Sequence, residues 1–425
     1  RTLNPFSTKG YYYLTDSDAA LREIPSETGG LTDTPATTVT SALAHEQDII
    51  SPNRSGHYAV GEDFRFTQSR DFRFNLPGRV EGTDVWMQCS FLANTPSATS
   101  KLTFTANGTT LPSSPTDNIR PNSSSDACGD TCVTSKSFSI SGTTLNLNLR
   151  YSVTGVVKDA NLDYIFINYT RSLDMDAALS GFATSDRCFT IAGASAQTTV
   201  WDVTDPLNIS AMEHAATDGG SATVSVPRTG MRRYIAWNDN SAFKTPVNEG
   251  TVKNQDIHSV PVPDMVIVTT SALRSEAERI AELHRNSSDS LDVYVVEQSL
   301  VYNEFGSGCG DVNAIRRMLK MFYDRGNAGD GHRLKYLLMM GRGTFDHRRV
   351  TTQGKNQRYE PLPIWQTNTG HNVSTSYCSD DILAMLADDS GLNFGADKLD
   401  IAVGRISART ADEARVFVDR RRKYC

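Results

Sequence analysis

The amino-acid sequence predicts a β-rich N-terminal region, folded as an antiparallel sandwich, followed by part of an α/β domain with a mostly parallel sheet. Two observations carry this. Across residues 264–425, short and nearly continuous apolar runs alternate with amphipathic helical stretches, whereas residues 1–227 show period-2 alternation broken by frequent Ser, Thr, Asn and Gly. Apolar runs buried on both faces suit parallel strands, and alternation between turn signals suits strands with one solvated face.

In the α/β part the strands read as Met265 to Thr269, Val293 to Val296, Tyr336 to Met340 and Ile401 to Val403. Leu273, Ala277, Ile280 and His284 lie on one helical stripe and Val312, Ile315, Leu319 and Phe322 on another, at three- and four-residue steps. The last helix opens with Thr410 and Glu413, an N-cap and N3 pair, and closes with Arg420, Arg421, Arg422 and Lys423, which suit the negative end of the helix dipole. Right-handed βα crossovers then give a doubly wound sheet whose ligand edge is the C-terminal ends of its strands. The pattern reads as the first half of a domain, truncated at its C-terminal side.

In the N-terminal part Phe72 to Leu76 and Leu145 to Tyr151 alternate strictly, and enough such segments exist for a β-sandwich. The stretch 228–263, with Pro246 and Pro261, reads as a connector, and Thr110 to Ser125, dense in Pro and Ser, as a long mobile loop.

Composition excludes several function classes. With 38% hydrophobic and 21% charged residues the chain supports two or three cores, and its net charge of −7 argues against a nucleic-acid partner. No apolar run approaches the roughly 20 residues that span a bilayer. The first residues lack a charged n-region and an apolar h-region, so a signal peptide is expected to be already removed or to lie outside these residues.

Seven cysteines is an odd count. Cys128 and Cys132 flank a Gly-containing turn and are candidates for a short-loop disulfide. Zinc would need two further ligands nearby, and the sequence offers none. Cys89, Cys188, Cys309, Cys378 and Cys425 read as single thiols.

Four further features bear on chemistry. Phe305 to Asp311 is Gly-rich ahead of a helix but lacks the third Gly of a dinucleotide fingerprint and the Gly-Lys-Ser/Thr of a P-loop, so it reads as a flexible loop with Asp311 at a helix start. Cys309 and His347 both follow strands at the edge where sites form, which makes them a candidate dyad against the simpler reading of a loop thiol and a surface imidazole. The carboxylates Asp380, Asp381, Asp388, Asp389, Asp397 and Asp400 are either hard-cation ligands or solvated turn residues, the latter being commoner. The histidines show no His-x-x-x-His or His-Glu-x-x-His spacing, which disfavours a metallohydrolase.

Val301 to Gly308, Asp311 to Arg316, Leu334 to Gly341, Ser379 to Asp381 and Val403 to Ile406 together closely resemble the gingipain-like cysteine peptidases, and among them the sortases of the type IX secretion system. The resemblance extends upstream through Asn4 to Phe6, Tyr11 to Leu14, Gly61 to Phe64, Leu162 to Ile165 and Trp201 to Pro206. It implies a caspase-like α/β peptidase domain behind β-rich modules. The family's catalytic His lies in a Gly-His-Gly motif with the Cys after it; this chain has no Gly-His-Gly, so the resemblance implies no catalytic residue among residues 1–425 and a dyad beyond Cys425. No cofactor-binding or metal-binding residue is assigned. Where the family has Gly-Asp, with the Asp a structural calcium ligand, this chain has Gly341-Arg342, and Asp400 falls at a second calcium-binding carboxylate. A structural calcium is therefore doubtful, and an Arg342–Asp400 ion pair with no metal between them is expected.

The resemblance further implies an enzyme at the cell surface, associated with the bacterial outer membrane, that removes C-terminal targeting domains from secreted cargo. The acyl-enzyme would pass to an amine on anionic surface lipopolysaccharide, because a Cys acyl-enzyme is resolved by an amine as well as by water. Partners implied are the cargo, the lipopolysaccharide, an outer-membrane β-barrel and other attachment-complex subunits. By the same inference this chain alone is inactive. The alternatives are a non-catalytic β-rich docking or adhesion module with a degenerate peptidase half, and a gingipain-type secreted protease.

Overall fold

Alternation in the N-terminal region builds two antiparallel sheets around one core. In the computed structural model, which describes residues 4–16, 20, 22–30, 33–122, 127–177, 179–217, 220–238, 243–288, 290–329, 332–393 and 395–422, one sheet orders Thr38–Glu46, Asp159–Ser172, Val85–Asn94 and Asp130–Phe138. The other orders Ser69–Asn75, Thr144–Val153, Ser100–Ala106 and Thr109–Thr110. Phe72 faces Leu147 and Phe104 faces Leu149 across the second sheet, and these side chains meet Met87, Phe91, Ile165 and Ile167 of the first in a shared core. This is the expected antiparallel sandwich.

The β-rich region also carries a second core. Strands Ser26–Glu27, Ser210–Met212, Thr199–Asp202, Arg232–Trp237 and Gly181–Thr184 form one sheet, and Cys188–Ala192, Ser221–Ser225 and His214–Thr217 another. Phe189, Ile191, Val200, Val224 and Tyr234 fill the space between them. The stretch 228–263, read as a connector, thus contains a strand of this unit, Arg232–Trp237.

Thr110 to Asn122 is built into the sandwich and is not the mobile loop its Pro and Ser content suggested. Ser114 and Asp117 form a capping box around the short 3-10 helix Pro115–Asp117, and Leu111 and Ile119 enter the core. The buried Asp117 carboxylate accepts from Thr134 Oγ1 at 2.7 Å and pairs with Lys136 Nζ at 2.8 Å. Here the small polar residues serve capping. Ser123 to Ser125 lie outside the described residues.

Cys128 and Cys132 are both free thiols, which corrects the disulfide expectation. Cys132 lies inside strand Asp130–Phe138, whereas Cys128 precedes it, with its backbone N–H donating to His371 O at 2.6 Å. Cys132 instead donates to Thr116 O at 2.9 Å. Cys425 lies outside the described residues.

In the α/β half four strands run parallel in the order Val293–Glu297, Met265–Thr269, Tyr336–Met340 and Ala402–Ile406. Side-chain alternation sends Val266, Val268, Leu337 and Met339 to one face, under helices Gln298–Phe305 and Val312–Ala328. Ile267, Val293, Val295 and Met340 point to the other, where Ala277 and Ile280 of helix Arg274–Arg285 and Ala414 and Val418 of helix Ala411–Arg422 cover them. The sheet is doubly wound, as expected. Thr410 Oγ1 accepts from Glu413 N at 3.3 Å as a cap does, while the Glu413 carboxylate takes Arg409 N at 2.8 Å rather than closing back on Thr410.

Candidate active-site cleft

The C-terminal ends of the third and fourth strands converge on Arg405. Its guanidinium grips Asp380 through two bonds of 2.7 Å each and donates to Gly341 O and Pro363 O, both at 2.9 Å. Arg405 therefore ties together the end of its own strand, the end of the neighbouring strand, the 361–364 segment and the turn before Asp381. Gly341 permits this closeness, since a Cβ there would sit 2.8 Å from Leu362 Cδ1.

Beside this knot opens a cleft of about 500 Å³, lined among others by Arg54, Arg342, Phe345, Tyr359, Ile364 and Cys378. Arg54 comes from the β-rich region. Its turn is pinned to the α/β half by His57 N donating to Thr367 O at 2.8 Å and by Ser376 Oγ donating to Ser55 O at 2.6 Å. A further ion pair, Arg348 to Asp48 at 2.5 Å, crosses the same seam.

His347 sits behind the cleft as a packed imidazole. Nε2 accepts from Ile364 N at 3.1 Å, and the ring lies 4.9 Å from Phe6. Burial first, then the neighbouring His57 and Arg405, push its pKa down to about 3, so it is neutral at physiological pH. Cys309 lies in the loop after helix Gln298–Phe305, next to the Tyr11–Tyr13 segment, and its Sγ donates to Lys9 O at 3.3 Å. No hydrogen bond joins Cys309 to His347 among the described residues.

The Gly-rich stretch is a helix terminus. Tyr302 O accepts from both Gly306 N and Gly308 N, at 2.9 and 2.8 Å, and Asp311 accepts from Asn313 N to cap the next helix. Those amides are spent on capping and form no phosphate cradle.

The Arg342–Asp400 ion pair is not formed. Arg342 follows the third strand while Asp400 precedes the fourth, and parallel pairing sets those positions at opposite ends of the sheet. Asp400 instead accepts from Leu386 N and Ala387 N at 2.6 and 2.9 Å and from Tyr323 Oη at 3.2 Å. A cation at Asp400 would have to displace these donors. Two of the other carboxylates are likewise engaged: Asp388 with Lys320 at 2.7 Å, and Asp397 with Gly391 N and Asn393 N at 2.8 and 3.0 Å.

Among the described residues, one group of His, Cys and carboxylate atoms converges as a metal site would: Asp256, His258 and Glu304, within 4.8 Å of one another. Glu304 is already saturated by Gln255 Nε2, Ile257 N, His258 N and the His258 ring. Burial would raise its carboxyl, but these donors outweigh that and hold it at about 2.

Sequence reasoning singled out Ser379-Asp380-Asp381 and Val403-Gly404-Arg405 as motifs without seeing that Asp380 and Arg405 pair, and it missed Arg54 altogether. Arg54 carries no local signal beyond lying in a polar turn.

Residues 258–424 match the family described as Peptidase family C25. The crystal structure of dimeric latent PorU from Porphyromonas gingivalis is similar over 95% of this chain, with 28% identity and a TM-score of 0.82. This chain spans 39% of the length of that PorU chain. The GH115 glucuronidase BtGH115A shares 11% identity over 33% of this chain and 19% of its own, at a TM-score of 0.21 that carries no argument. The sugar-binding EclA C-terminal domain, at 14% identity over 32% and 83% of the two chains and a TM-score of 0.18, carries none either. None of the curated proteins matches the chain in sequence. The β-rich region and the α/β half together have the fold of PorU, and the α/β half is a domain of peptidase family C25, the gingipain family.

Proposed function

We propose that this chain is the N-terminal part of a type IX secretion sortase. In this reading a cysteine endopeptidase and transpeptidase removes C-terminal targeting domains from secreted cargo at the outer surface of the outer membrane and passes the cargo to an amine of surface lipopolysaccharide. The observation that carries the reading is the likeness to PorU across 95% of the chain, because it runs through the β-rich modules as well as the peptidase half. That breadth favours a sortase over a secreted gingipain-type protease. By the family resemblance, whose catalytic His lies in a Gly-His-Gly motif that this chain lacks, the nucleophile and its base would come from residues beyond 425, and Cys309 and His347, engaged in backbone contacts, are not assigned those roles. No described helix is long and apolar enough to cross a membrane, and association with an outer-membrane β-barrel and other attachment subunits would hold the enzyme there.

The test is to incubate the full-length protein with cargo bearing its C-terminal targeting domain and an amine acceptor, then weigh the products. Cargo truncated at the domain boundary and carrying the amine is expected. Intact cargo under conditions where the enzyme is folded contradicts the reading.

A further inference from the structure

The cleft at the strand ends has a charge pattern that the peptidase reading leaves unexplained. Three of its lining side chains, Arg54, Arg342 and Arg405, are arginines, and none of its lining residues is Asp or Glu. Arg405 is neutralised by the bidentate grip of Asp380. Arg54 and Arg342 are exposed, and neither closes an ion pair among the described residues. Glu413, the carboxylate that Arg342 influences, is committed to Arg409 at 2.5 Å. Two uncompensated guanidinium groups therefore face one concave, partly apolar space that also holds Phe345, Tyr359 and Ile364.

The backbone at Arg54 gives an independent reason to look here. Arg54 has a φ of 51°, in the left-handed region that favours glycine. The turn is held in that shape from both sides: Gly56 is so close to the α/β half that a Cβ would lie 1.8 Å from Thr369 O, and Ser55 and His57 are hydrogen-bonded across the seam. A strained, non-glycine residue whose side chain opens on a cleft is an outlier of the kind that accompanies ligand contact.

We infer that this cleft binds an acidic stretch of polypeptide, with an Asp or Glu side chain of the bound peptide seated between Arg54 and Arg342. Guanidinium forks recognise carboxylates through paired N–H donors, and the apolar lining covers the peptide's neighbouring side chains. The inference rests on the peptidase reading for why a peptide lies at this edge; the binding itself does not need that reading.

The test compares two matched pools of fluorescent octapeptides, identical except for a central Glu or Gln, by anisotropy against the full-length protein. The Glu pool should bind at least about tenfold more tightly at low salt, and the preference should shrink as salt screens it. Arg54→Gly should lose most of that preference while folding at least as well, because glycine relieves the strain and removes the charge; Arg342→Gln should lose it too, and Arg54→Lys should keep part of it. Equal affinity for the two pools, or a Glu preference that survives Arg54→Gly with Arg342→Gln, overturns the inference. Cleavage of cargo by the full-length enzyme beside equal binding would sink the cleft assignment alone. A Glu preference without cleavage would sink the peptidase reading and leave the cleft standing.

Discussion

Arg405 and Asp380 face each other in a fork-to-carboxylate pair with two contacts of 2.7 Å, and their side chains are only 10% and 15% exposed. The pair locks the turn at Asp380 onto the C-terminal end of the parallel sheet. Removing Arg405 leaves a mostly buried carboxylate without its partner and frees Gly341 O and Pro363 O. Arg405→Ala should then lower stability by about 3–5 kcal/mol in urea unfolding, and Arg405→Lys should recover only part of it for lack of the fork. A loss within about 0.5 kcal/mol would show that the pair is ornamental.

Asp400 and Arg342 should behave as unrelated residues. Asp400→Ala strands the Leu386 and Ala387 amides and should cost about 1–3 kcal/mol, whereas Arg342→Ala, at an exposed position, should stay within about 0.5 kcal/mol. A double-mutant cycle should give no coupling. Coupling above about 1 kcal/mol would restore the ion pair that the sequence suggested.

Acid should weaken the seam between the two halves through His347. Its folded pKa is about 3, below the roughly 6.5 of an unfolded histidine, so between those values the unfolded chain binds the extra proton. Stability from this group is complete above about pH 6.5 and is lost as pH falls toward 3. Allowing for the part of the ring that still meets solvent, the loss by pH 4.5 should be on the order of 2 kcal/mol. His347→Gln should flatten that slope in denaturation curves measured between pH 7 and 4.5, and an unchanged slope would place the acid sensitivity elsewhere.

Cys128 and Cys132 should both alkylate when the protein is unfolded in iodoacetamide without reductant. A pair of peptides linked by a reducible bond would contradict the two free thiols.

Much of this architecture was legible in the sequence, and the misses share a cause. Met265–Thr269 and Tyr336–Met340 emerge with the bounds that their apolar runs indicated, because burial on both faces leaves an unbroken hydrophobic record. The fourth strand runs on to Ile406, past the Val403 read as its end, since Gly404 and Arg405 interrupt that record. Thr110 to Asn122 looked like a loop because capping residues and turn residues are the same residues. The Arg342–Asp400 error came from treating two strand ends as adjacent without asking which end; only the parallel register separates them. Arg54 could not be found, since its place in the cleft depends on a contact between segments some 300 positions apart, of the kind Arg348 makes with Asp48.

The central claim of the proposed function is that its peptidase chemistry uses neither Cys309 nor His347. The most direct measurement is to trap the acyl-enzyme of the full-length protein with a peptidyl acyloxymethyl ketone and map the labelled cysteine by mass spectrometry. The account predicts a label on a cysteine beyond residue 425 and unchanged labelling in Cys309→Ala, whose lost thiol contact should cost at most about 1 kcal/mol of stability. A label on Cys309, abolished by Cys309→Ala with the fold intact, would contradict it.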